Sequence, residues 1–304
     1  MSYNSYKMMK NKNRTYSVQG IAPREIVSWI SEIEKILLGL NSCNCPGFLK
    51  PIHLVTIGLA VKKSEWGGLK LPNDLAGYAS RMNLWDSINM QPPYQVNQYK
   101  PLGKFLPVQR FDQHKRDVQV AIDGLADIIN KTLSTEYHST LSNCLEELVN
   151  NFFDHARSTY ELPCLIAAQS WPKGKLVQVA IADAGIGIRS SLNENTNLLY
   201  RLNNENACKL ASTYGISSKL GNNHSGYGLA LAKNLMEQAN GSYILVSGNE
   251  IYSSIRGADT CQEIQGGWGG TILVLEWSLD SQLSSKLVYD SWPLPEGFNI
   301  DDFF

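Results

Sequence analysis

Between residues 23 and 40, apolar side chains recur at Ile26, Ile30, Ile33, Leu37 and Leu40. That is the spacing of one helical face, and Pro23 suits a first helical turn. A turn-like stretch over 43–50 precedes the run 53–61 (HLVTIGLAV), which predicts a short buried strand with His53 at its end. Residues 71–84 predict a helix after a Pro-Asn-Asp start, and 89–107, rich in proline and without period, predict a linker or surface loop. Residues 1–115 therefore read as a small N-terminal α/β module for interaction or dimerisation, with no motif that carries chemistry.

The periodicity sharpens further along. Residues 117–133 predict a helix with Val118, Ile122, Leu125 and Ile129 on one face. Over 141–156, at ~100° per residue, Leu141, Leu145, Leu148, Phe152 and Ala156 fall in one ~80° sector, and Glu147, Asn151 and Asp154 fall in a separate ~60° sector. A solvated face would normally mix basic residues among the acids; this one has none before Arg157. The polar sector is therefore a candidate site floor.

Two strand-like runs follow, 163–170 and 176–182, joined by Trp171-Pro172-Lys173-Gly174, which predicts an antiparallel hairpin. The second ends in Asp183-Ala184-Gly185-Ile186-Gly187-Ile188. Residues 189–224 are polar and long enough to read as a lid or binding loop. Ser225-Gly226-Tyr227-Gly228 opens a helix over 229–239, which Asn240-Gly241 stops in a left-handed turn. Strands are predicted at 242–247 and 250–256, and a last one at 272–277 after Gly269-Gly270-Thr271. The expected class is an α+β two-layer sandwich, its mixed sheet covered by helices on one face. The tail, 279–304, is acidic near its end and carries Trp292, Phe298, Phe303 and Phe304, to dock on a partner or to pack on its own chain.

Composition narrows the function classes. The chain has 304 residues, 43% of them hydrophobic, and a formal net charge of -1, enough for a real core but without long-range attraction for a polyanion. Nucleic acid is not an expected partner. No run approaches the ~18 apolar residues of a membrane span, and the polar N-terminus lacks a signal core, so the expectation is a cytoplasmic protein off the membrane. The cysteines are scattered without zinc spacing and read as free thiols.

Four short pieces now stand in order: Glu147 with Asn151 and Asp154 on a helix; Asp183, Gly185 and Gly187 at a strand end; Gly226, Tyr227, Gly228 and Leu229 at a loop–helix junction; and Gly270-Thr271 before a final strand. Singly they are common; together, in these contexts, they are not. Over about 117–277 the chain resembles the GHKL superfamily, the ATP-binding Bergerat fold shared by gyrase, the large heat-shock chaperone, histidine kinases and mismatch-repair ATPases.

The resemblance implies an ATP-binding domain over 116–278 with a lid at about 189–225, ATP and Mg²⁺ as ligands, and these roles. Asn151 would hold Mg²⁺, a hard cation that keeps several waters. Glu147 would be the general base. Asp183, supported by Thr271, would accept the adenine amino group, with Gly185 and Gly187 letting backbone approach the base and Ile188 also at the nucleotide. The N–H groups at Gly226, Tyr227, Gly228 and Leu229 would face the phosphates at a helix start. His155 would approach the phosphates or serve as a hydrogen-bonded structural residue; Asp154 would meet adenine-side waters or cap local backbone. Ala230 replaces a third glycine common in histidine kinases.

Within the family, none of His53, His114 or His138 has the HExxxP-like context of a phospho-accepting histidine, and fewer than thirty residues follow Trp277, too few for the domain that brings a lysine to gyrase-type sites. The expectation is a stand-alone GHKL protein: a Mg²⁺-dependent ATPase acting as a nucleotide-gated switch on a protein partner. The alternatives are a serine/threonine kinase resembling anti-sigma regulators, and an ATP-binding scaffold without turnover. A homodimer is left open.

Overall fold

A computed structural model describes residues 20–40, 44–65, 69, 71–91, 103–112, 117–129, 135–157, 162–219 and 226–293. Five strands, β1 (Phe105–Phe111), β2 (Cys164–Trp171), β3 (Leu176–Asp183), β4 (Ser242–Ile255) and β5 (Ala258–Ser278), form one sheet in the order β1-β2-β3-β5-β4. Each neighbouring pair is antiparallel. The α+β class holds, but the expected mixed sheet is antiparallel throughout.

Helices cover both faces rather than one. On the back lie α1 (Pro23–Leu37), α2 (Pro51–Lys63), α3 (Asn73–Arg81) and α4 (Leu84–Ser87), sharing one core with Leu165, Ala167, Ala180, Ala182, Ile244, Val246, Ile272 and Val274. On the front lie α5 (Gln119–Ile129), α6 (Thr135–Asn151), α7 (Ile188–Leu192), α8 (Leu199–Asn204), α9 (Ala207–Ala211), α10 (Gly228–Gln238) and α11 (Ser285–Ser291). Their core takes the alternate strand positions Cys164, Ile166, Val177, Val179, Ile181, Leu245, Leu273, Leu275 and Trp277. The near-continuous apolar runs of β3 and of the second half of β5, 272–277, are what a strand buried on two sides requires.

The largest departure is at 53–61, which is the middle of α2 and not a strand. Every side chain from Pro51 to Val61 is buried, so the run has no polar face to betray a helical period, and a short, wholly apolar stretch is ambiguous between the two states. Pro51 sits in the first turn, and Lys50 N donates to His53 Nδ1 at 2.8 Å, closing the helix start. Burial pushes the His53 imidazole down to about 3, so it stays neutral. The expected N-terminal α/β module is thus, over its described residues up to 91, a layer of helices laid on the sheet.

Smaller departures have local causes. Part of the expected loop at 89–107 is β1, an edge strand that tolerates Pro107. The two strands expected over 242–256 are one, β4, its pairing with β5 shifting around Gly248. The lid stretch holds α7, α8 and α9 rather than plain loop. The hairpin of β2 and β3 is as expected, turning at Pro172–Gly174 with Lys175 left-handed, and Asn240 at φ 50° ends α10. Among the tail aromatics, Trp292 packs on its own chain; Phe298, Phe303 and Phe304 lie outside the described residues. No helix among the described residues is long and apolar enough to cross a membrane.

Candidate functional site

The front face is not sealed. Between α6, α7, α10 and the ends of β3 and β5 lies a cavity of about 380 Å³. Its walls include Glu147, Asn151, Asp154, His155, Asp183, Gly187, Ile188, Gly226, Tyr227, Gly228, Leu229 and Thr271, every residue expected at the site except Gly185.

The floor comes from α6, whose apolar stripe is buried as expected: Leu141, Leu145 and Leu148 are each at most 5% exposed. Past Asn151 the helix changes pitch into a π-helical turn, Phe152–Ala156, stopped by Arg157 at φ 45°. This turn carries Asp154 and His155 away from the line of Glu147 and Asn151, a shift that a uniform helical wheel does not show. The polar sector consequently splits in two. Glu147 and Asn151 face the start of α10: a Cβ on Gly228 would lie 2.9 Å from Asn151 Nδ2 and 3.0 Å from Glu147 Cβ. Asp154 and His155 grip the segment after α9, Asp154 Oδ1 meeting Lys219 Nζ at 3.0 Å and His155 Nδ1 meeting Ser218 Oγ at 2.9 Å. Ser191 Oγ of α7 also donates to Ser218 Oγ, at 3.1 Å.

Gly226, at φ +62°, lets the chain pass close to the same segment, since a Cβ there would lie 2.6 Å from Ile216 O. Tyr227 is the N-cap of α10, and its own side chain makes no capping hydrogen bond. The first-turn N–H groups of an 11-residue helix, with their partial positive charge, therefore start beside Asn151.

The far wall is a row across three strands. Asp183 on β3 lies opposite Thr271 on β5, which lies opposite Ser247 on β4. Asp183 is 8% exposed, and its Oδ1 accepts from Gly185 N at 2.8 Å. Burial pushes its carboxyl up to about 6, with the Gly185 N–H, the Thr271 hydroxyl and N–H, and the charge of Lys63 opposing that rise. Trp268 Nε1 donates to the Asp183 carbonyl at 2.6 Å, and Ser247 Oγ accepts from Ile188 N at 2.8 Å while donating to Gly270 O at 2.7 Å. These ties fix the turn that follows Asp183.

Gly185 is outside the cavity wall. A Cβ on it would collide with the Ala156 carbonyl, and Ile186 N donates to that same carbonyl at 2.8 Å. Its freedom serves the seam between the β3 turn and the π-helical turn, in place of the expected approach to a ligand. Gly187, at φ +79°, has room for no side chain, since a Cβ there would lie 2.8 Å from Ser247 Oγ, and it lines the cavity together with Ile188.

Sequence reasoning missed Cys164, Ile181 and Leu273, apolar strand residues that line the cavity, and Ser191, Ser217 and Ser218, which line it as well. The strand residues were visible only as core positions. The serines had a faint signal, their place in the polar stretch before the glycine turn. Burial raises the Cys164 thiol well above its ordinary range, so it stays a thiol.

The chain matches no protein-family model and no curated protein sequence.

The arrangement offers a carboxylate acceptor at one end of an apolar slot, and an amide, a carboxylate and a helix start at the other. A planar base with an amino donor suits the first end, and an anionic chain suits the second. Among the described residues no group of three or more His, Cys, Asp and Glu could hold a metal alone. Asn151 with Glu147 nearby fits a hard cation that arrives with phosphate oxygens and its own water.

Proposed function

We propose that this chain is a GHKL-type ATP-binding protein that hydrolyses ATP with Mg²⁺ and acts as a nucleotide-gated switch on a protein partner. The observation that carries the reading is the convergence of four separated sequence pieces, 147–155, 183–188, 226–229 and Thr271, on one cavity of about 380 Å³. Cytoplasmic residence goes with this reading.

In this mechanism Asp183, as carboxylate, accepts from the adenine amino group, and Thr271 and the Gly185 N–H keep it oriented and partly ionised. Ile181 and Leu273 exclude water from the base. The first turn of α10 presents N–H groups to the phosphate chain, which needs positioning and electrostatic support more than covalent help. Asn151 would hold Mg²⁺, which when bound would neutralise charge on the phosphate oxygens. Glu147, one turn before Asn151 and at the same helix junction, takes the proton of the attacking water.

Phosphate release measured with and without Mg²⁺ tests this. Glu147→Gln is expected to cut turnover by roughly 10²–10⁴, the usual weight of a general base, while leaving ATP affinity within a few-fold. Loss of binding in that variant would overturn the base assignment. Label from γ-labelled ATP collecting on a partner Ser or Thr would replace hydrolysis by phosphotransfer.

A further inference from the structure

The segment from Ser284 to Trp292 packs beside the pocket. α11 docks beside α6: Ser285 N donates to Thr140 Oγ1 at 2.9 Å, and the Ser284 hydroxyl donates to the Glu136 carboxylate. Just past α11, the Trp292 ring lies 4.5 Å from Tyr214, 5.4 Å from Tyr289 and 5.9 Å from Tyr227, centroid to centroid. With the Asn234 amide oriented to satisfy both its neighbours, its oxygen accepts from Trp292 Nε1 at 2.8 Å, which ties the indole to α10 as well.

The two tyrosines are not equivalent core fillers. Tyr214 follows α9 and precedes Ile216, Ser217 and Ser218, which line the cavity; Tyr227 stands between Gly226 and Gly228 and lines it too. They are the two flanks of the segment that carries those serines. The flanks approach each other where a Cβ on Gly226 would lie 2.6 Å from Ile216 O, and since Gly226 and Gly228 carry no side chain, the Tyr227 ring, which also meets Tyr289 at 6.2 Å, is what ties this turn to Trp292. Ring pairs at these separations are attractive and geometrically selective.

We infer that Trp292 is a positioning residue of the pocket: by clasping Tyr214 and Tyr227 together it sets where the first turn of α10 and the serine-bearing segment stand. It touches no ligand and acts through Tyr214, Tyr227 and its hydrogen bond to Asn234 of α10. Its consequence for nucleotide affinity rests on the ATP reading above; its consequence for the backbone does not. Docking of α11 with Trp292 and filling of the pocket are then coupled, and the coupling runs equally in both directions.

Amide exchange and nucleotide binding on the full chain separate these consequences. In Trp292→Ala without nucleotide, exchange at 212–219 and 226–231 is expected to speed up about tenfold with the strands unchanged, and the Kd of a fluorescent ATP analogue with Mg²⁺ is expected to rise about tenfold. Trp292→Phe, which keeps a ring, should restore most of both effects, whereas a residue that merely stabilises the fold would alter exchange everywhere. Should Trp292→Ala fail to fold, Tyr214→Ala removes the same contact from the other side and should give the same local pattern at 226–231. Unchanged exchange at both flanks in a folded Trp292→Ala or Tyr214→Ala protein overturns the clasp. Absence of nucleotide binding in the unaltered protein overturns the ATP reading instead, with exchange still deciding the clasp.

Discussion

Asp183 and Glu276 are buried carboxylates on neighbouring strands of one sheet, one on each face, and burial raises the pKa of both. Their surroundings differ. Glu276, 2% exposed, is enclosed: Ile21 N donates to both its oxygens at 2.9 and 3.0 Å, and Gln178 Nε2 donates to Oε1 at 2.6 Å. Gln178 in turn accepts from Ile52 N at 3.3 Å, so the carboxylate pins the entry to α1 and the start of α2 to the back of the sheet. Asp183 is held by the backbone N–H beside it and by Thr271, but it also lines a cavity. A raised pKa therefore does not separate the two acids; lining a cavity does, and it is what makes Asp183 the candidate.

The comparison breaks most visibly under truncation. Glu276→Ala leaves the Ile21 N–H and the Gln178 amide without their buried acceptor, and is expected to cost about 3 kcal/mol of unfolding free energy by denaturant titration. The molecules that remain folded should bind nucleotide normally. If Glu276→Ala weakens binding more than stability, the back face is not merely structural.

Next in size is pH. The folded pKa of Asp183, about 6, stands above its ordinary 3.8, so the folded protein holds that proton more tightly than the unfolded chain does. The stabilising contribution is complete below about 4 and is lost as pH rises through about 6. Nucleotide affinity should run the opposite way, falling as pH drops below about 6, because only the carboxylate is free to accept from an amino group. Asp183→Asn should flatten the component of both profiles in this window, which thermal melts and binding titrations between pH 4 and 8 would read.

Ser218→Ala is the mildest perturbation. It removes the hydroxyl that joins His155 to Ser191, a loss of about 1 kcal/mol, and should speed nucleotide release roughly fivefold in stopped-flow measurements with little change in melting temperature. An unchanged release rate would mean that this segment does not hold the ligand in.

The sequence carried the site better than it carried the back of the fold, for a physical reason. On α6 the apolar and polar residues occupy separate sectors, so Glu147 and Asn151 declared both a helix and a face. On α2 all of 51–61 is apolar or buried, and the period that distinguishes helix from strand was erased by burial on every side. β1 was hidden by Pro107, which only an edge strand accepts. The supporting contacts of the site were not legible at all: Trp268 reaches Asp183 across 85 residues, His155 reaches Ser218 across 63, and Trp292 meets Tyr214 from the far end of the chain. Such pairings are set by sheet register and helix docking, which no local pattern encodes. The π-helical turn likewise moved Asp154 and His155 off the wheel that α6 otherwise obeys.

The central claim is that Asp183 faces a nucleotide. Titration of a fluorescent ATP analogue with Mg²⁺ into the unaltered protein and into Asp183→Asn at pH 7.5 tests it most directly. Saturable binding displaced by ATP, weakened about ten- to a hundredfold in Asp183→Asn, is the predicted result, matching the loss of one charge-assisted hydrogen bond. No saturable binding to the unaltered protein, or equal affinity in a folded Asp183→Asn variant, would contradict it.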